Sequence, residues 1–117
     1  MCDRNFEGEE FGQAEIHRLD ALRLAMREEE IAADLDLAAD LHPGLNAQLV
    51  SELERLVRAH PLRERLRGLL MLALYRSGRH AEALSAYHEA LRTFAEELRI
   101  EPGQELQQLY GSILRHE

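Results

Sequence analysis

The chain has 117 residues, a length that suits one domain with a single core. Its 22 acidic residues outnumber 14 basic ones for a net charge of −8, which argues against an extended phosphate-binding surface and so against direct nucleic-acid binding. No stretch approaches the ~20 apolar residues of a membrane span, the acidic N-terminus MCDRNFEGEE is unlike a signal peptide, and the lone Cys2 has no internal disulfide partner; a cytoplasmic protein with an inert N-terminal thiol is expected.

Residues 1–12 carry two glycines and several charges without an apolar period, and read as a flexible lead-in to one domain over 13–117. From Ala14 onward Ile16, Leu19, Leu22, Met26, Ile31, Leu35, Ala38 and Leu41 recur mostly at three and four, the helical interval. They predict a first helix to about residue 41, stopped by His42-Pro43-Gly44. Leu45, Leu49, Leu53, Leu56 and Val57 predict a second over about 45–59. His60-Pro61 follows, with the proline expected as the first residue of a third helix over about 61–77.

This third segment, with Leu66, Leu69, Leu70, Met71, Leu72, Ala73, Leu74 and Tyr75, is apolar nearly all round and is expected to be the central helix. Gly78 closes it as a left-handed cap. A fourth helix over about 80–98 turns Ala83, Leu84, Tyr87, Leu91, Phe94 and Leu98 inward, and Pro102-Gly103 opens a fifth carrying Leu106, Leu109, Ile113 and Leu114. Strand-like alternation is absent and every connection is short, so the fold class is all-α, with about five antiparallel helices.

An offset of 34 residues places Gly44 on Gly78, Ala47 on Ala81 and Ser51 on Ser85, with apolar residues on apolar ones between them. That is the period of the tetratricopeptide repeat, in which a glycine ends the first helix and small, aromatic and small residues line the second. Gly78, Ala83, Tyr87 and Ala90 keep that spacing, while the upstream copy has leucines in place of the small residues and the closing proline is displaced to Pro102. Tetratricopeptide-like helical hairpins are the expectation, the small residues admitting close helix approach and the tyrosine filling the space beside them.

Four motifs appear in order from residue 60: His60-Pro61-Leu62-Arg63-Glu64, the turn Leu74 to Arg79, Ala81-Glu82-Ala83-Leu84, and Glu97 to Leu106. With the upstream AEIHRLDALRLAMREEEIAADLDLA, they make residues 13–115 resemble the bacterial transcriptional activator domain of the Streptomyces antibiotic regulatory protein family. In that family the domain follows a winged-helix DNA-binding domain, which nothing before Ala14 could form here. The resemblance therefore implies an all-helical regulatory module that associates with itself, a DNA-binding domain or the transcription machinery, and it does not carry promoter binding onto this chain.

Chemistry-bearing candidates are few. The six histidines, His17, His42, His60, His80, His88 and His116, include no two-histidine ligand spacing on one helix face, and no cysteine pair supports zinc, so no metal is expected. The acidic run Glu28-Glu29-Glu30 with Asp34, Asp36 and Asp40 is a docking face for a basic partner or, the blander reading, a solvated helix face. Neither it nor Ser77 and Ser85 has the surroundings of a catalytic site, so neither catalytic residues nor a cofactor is expected. Arg63 and Arg67 at the start of the third helix, with Arg76 and Arg79 about Gly78, are the candidate partner contacts, their alternative being ion pairs with the abundant glutamates. Tyr75, Tyr87 and Phe94 read as core.

The expectation is a non-catalytic regulatory module acting by protein contact, with a possible homodimer among its assemblies and no membrane partner. The alternative is a free-standing adaptor whose groove captures a peptide. A groove lined by polar and arginine side chains favours the adaptor, and exposed leucines favour self-association.

Overall fold

A computed structural model of the chain describes the backbone of residues 2–40 and 44–116 and the side chains of residues 12–38 and 44–116. The Cys2 thiol and the stop at His42-Pro43 lie outside the described residues. Five α-helices follow one another: α1 Cys2–Asp40, α2 Leu45–Ala59, α3 Glu64–Arg76, α4 His80–Glu97 and α5 Gln104–Leu114. No strand occurs among the described residues, and the fold is all-α.

Contacts divide the chain within α1, into Met1–Glu30 and Ile31–Glu117. The first unit is helical from Cys2, so the backbone of residues 2–12, read as a flexible lead-in, belongs to α1. Apolar periodicity registers packing alone, so its absence over 2–12 does not exclude a helix there. Ile16, Leu19, Leu22 and Met26, which keep the helical interval, are 56, 39, 54 and 65% exposed. Ion pairs one turn apart, Arg18–Glu15 at 2.6 Å, Arg23–Asp20 at 3.3 Å and Arg27–Glu30 at 2.9 Å, lie along the same stretch. Such exposed pairs contribute only about 0.2–1 kcal/mol each.

The second unit holds a core drawn from every helix. Ile31, Leu35 and Ala38 of α1 are buried at i, i+4 and i+7, and Leu49, Val50, Leu53 and Val57 of α2 at i, i+1, i+4 and i+8. Helix α3 touches α2, α4 and α5 and buries Leu66, Leu69, Leu70, Met71, Ala73 and Leu74, which makes it the central helix its composition calls for. On α4 the buried stripe is narrow, Ala83, Tyr87, Ala90 and Phe94, and among the described residues this helix packs on α3 and α5. Leu91 and Leu98, expected inside, fall on the edge of that stripe and are 36 and 45% exposed, as Leu114 is on α5 at 51%.

The turns explain the helix limits. His60 ends α2, its N–H bonding to Leu56 O at 2.8 Å, and its carbonyl accepts the Arg63 N–H at 3.1 Å. Pro61 and Leu62 therefore form a turn and α3 starts at Glu64, three residues later than the proline suggests. Gly78 takes φ 79°, with Arg79 N–H bonded to Leu74 O at 2.9 Å and Gly78 N–H to Tyr75 O at 3.0 Å. Both bonds belong to the Schellman motif, and only a residue tolerant of positive φ closes it without strain.

Candidate functional site

The second unit has a groove over α3, walled by the C-terminal part of α1 on one side and α5 on the other. Ala32 stands on the α1 wall, Leu106 and Leu109 on the α5 wall, and Gly68, Leu69 and Leu72 form the floor. The cavity measures about 280 Å³, at the bottom of the ~300–1,000 Å³ range of small-molecule pockets. Charges stand at its rim: Asp36 from α1, Arg65 from α3 and Glu105 from the first turn of α5. The arrangement is an apolar trough with ionic edges, a shape that accepts side chains of another segment by surface complementarity.

The trough depends on what seats α5. The Gly103 N–H at the start of α5 donates to the Glu64 carboxylate in the first turn of α3. A carboxylate there meets an unpaired helix amide and the positive end of the helix dipole together. Space at Gly103 is short, since a Cβ would sit 3.0 Å from both Glu64 carboxylate oxygens. Pro102 O accepts Gln107 Nε2 at 2.7 Å, completing the turn. From the other side Tyr110 of α5 stacks on Tyr87 of α4, ring centroids 4.0 Å apart and planes 13° apart, with its hydroxyl 3.2 Å from His88 Nε2. Burial and the neighbouring Tyr110 and Glu101 raise the Tyr87 phenol above its usual range.

The four candidate arginines do not gather on one surface. Arg63 and Arg67 lie toward the N-terminal end of α3, and Arg76 and Arg79 at the other end, about 14–20 Å away along the helix axis. Arg67 is only 4% exposed and donates from Nε at 3.1 Å and Nη2 at 2.9 Å to Pro61 O, so it holds the α2–α3 turn. Burial lowers its pKa, with Glu89 opposing. Its position gives a signal that was there to read, since Leu70, Met71 and Leu74 follow it at three, four and seven on the same helix face.

Arg76 donates from Nη1 to Leu35 O at 2.9 Å and stands 3.7 Å from Asp36, tying α3 to α1. Arg79 bonds Glu82 one turn on, and that hydrogen bond raises its pKa. Arg63 flanks α3 at its N-terminus. Glu64 and the groove leucines were missed as site residues, and no local signal pairs Glu64 with Gly103, 39 positions away.

Among the histidines, His80 stacks on Tyr75 with centroids 4.6 Å apart and lies 5.4 Å from His116. Among the described residues no three His, Cys, Asp or Glu side chains are placed to hold a metal ion, and no helix is long and apolar enough to cross a membrane.

Comparison with known proteins adds the following. The sequence model of one family, the bacterial transcriptional activator domain, matches residues 3–114. Regulatory protein AfsR of Streptomyces griseus is 51% identical over 98 residues, which are 84% of this chain and 9% of that protein. Regulatory protein DnrI of Streptomyces peucetius is 40% identical over 101 residues, 86% of this chain and 35% of that protein. A solved structure of Mycobacterium tuberculosis EmbR in complex with a low affinity phosphopeptide superposes with a TM-score of 0.63 at 34% identity, over 84% of this chain and 26% of that one. The chain thus spans a tenth to a third of the length of these regulators.

Proposed function

Since the chain belongs to the bacterial transcriptional activator domain family, we propose that it is the non-catalytic regulatory module of a transcriptional activator and works by protein contact through the groove between α1 and α5. The domain is taken to run over residues 13–117, in the cytoplasm. Its contacts are a second copy, a DNA-binding domain or the transcription machinery, and the net charge of −8 supports none with DNA directly.

The observation that carries this reading is the trough itself. Ala32, Leu72 and Leu109 present aliphatic surface over the buried Leu69 and Leu106 at a place where three helices leave a gap. Apolar surface left open to water is favourable to cover, at roughly 25 cal/mol per Å². Its lining is aliphatic with few arginines, which supports helix packing over the polar capture of a free-standing adaptor.

The test is transcription from a reporter under a regulator that carries this domain. Ala32→Trp fills the trough and Leu72→Lys places a charge in its floor, and both are expected to lower reporter output several-fold at unchanged helix content. Wild-type output from both variants, with normal folding, would refute a role for the groove.

A further inference from the structure

The trough is apolar within and unequal in charge at its edge. Asp36 has a side chain 79% exposed, and Arg76 Nη1, which pairs with it, stands 3.7 Å off while donating to Leu35 O at 2.9 Å. Glu105 is exposed on the opposite wall. The third rim charge, Arg65, is already engaged within the chain. A segment lying in the trough therefore passes between two carboxylates on facing walls, one of them only loosely neutralised.

From this we infer that the groove takes a segment of a different polypeptide, bearing one or two aliphatic side chains flanked by lysine or arginine. The inference rests on the reading of the groove as the contact site and names what enters it. The volume of about 280 Å³ admits a few aliphatic side chains and no large ligand. Cationic flanks satisfy Asp36 and Glu105 and are drawn in by a chain of net charge −8. A second copy meets the opposite situation. An isologous pairing through this face brings together two rims that each carry Asp36 and Glu105, and both partners carry the same excess of acid.

The experiment uses two labelled 14-residue capped peptides with leucines at identical helical positions, one with lysine and one with glutamate at the remaining sites. Fluorescence anisotropy with the full chain is expected to show the lysine peptide binding about tenfold more tightly than the glutamate peptide. The double variant Asp36→Lys with Glu105→Lys, both exposed sites, is expected to reverse that order. Ala32→Trp is expected to weaken the lysine peptide at least fivefold without loss of helix content.

A preference unchanged by the charge reversal, binding indifferent to Ala32→Trp, or no binding of the lysine peptide at millimolar concentration would each overturn the inference. So would a concentration-dependent dimer, seen by light scattering, that Ala32→Trp dissolves. That last result leaves the groove standing as a contact site, whereas unaltered reporter output from both groove variants removes the role of the groove by itself.

Discussion

Removing the Glu64 carboxylate tests how α5 is held and therefore how the groove keeps its second wall. In Glu64→Ala the Gly103 N–H loses its carboxylate partner and the start of α5 loses the charge facing its dipole. Hydrogen bonds to charged groups contribute about 1.5–3 kcal/mol and a charge at a helix end about 0.3–1 kcal/mol. Glu64 is half-buried and Gly103 exposed, so water replaces part of the lost bond and the low end applies. The expected cost is about 1–2 kcal/mol, or roughly 3–10 °C in Tm for a chain of this size.

Glu64→Gln keeps an acceptor and gives up the charge, and about a third to a half of that cost is expected from it. Chemical denaturation gives the magnitude, and hydrogen exchange gives the location. Amides of α5 near Leu106 and Leu109 should lose protection while those of α2 hold theirs. A Glu64→Ala chain within about 0.3 kcal/mol of the parent, with α5 still protected, would show that the contact seats nothing.

Gly78→Ala meets no steric obstacle, since no atom lies within 4 Å of the added Cβ, and its whole cost is the φ of 79°; about 1 kcal/mol of destabilisation is expected by urea titration. Arg67→Met is expected to cost about 1–2 kcal/mol by releasing the Pro61 carbonyl, a loss that thermal melting would detect and that a mere surface contact would not show. Tyr87 gives a pH signature. Its folded pKa is raised, so the associated stability is intact below the unfolded value near 10 and is lost as pH rises from there through the folded value. Melts between pH 9 and 11.5 should therefore fall more steeply for the parent than for Tyr87→Phe, and parallel curves would contradict the assignment.

Much of the fold was legible because its signals are local. Leucine spacing and the flanking turns bound α2 at Leu45 and Ala59, and the glycine after Ser77 marks a cap whose bonds span only six residues. The buried stripe of Ala83, Tyr87, Ala90 and Phe94 is likewise visible as spacing along one helix. Where reading failed, the deciding partner was distant or the rule was one-sided. Pro61 fits a first helical turn as well as the turn it occupies, and the choice falls to Arg67, six residues on. Ile16, Leu19, Leu22 and Met26 show helical period without burial, because periodicity identifies a face and not its covering. The groove had no signature at all, being made by α1, α3 and α5 at the site where their side chains fail to meet.

The clasp between Glu64 and Gly103 also orders events in time. Contacts otherwise join mostly consecutive helices, a topology whose loops close early and whose folding is correspondingly fast. The clasp skips over α4, so it forms only after α4 has turned back along α3 at Gly78. During synthesis α2, α3 and α4 can assemble while α5 is still inside the ribosome, so the groove gains its second wall only after its floor is in place.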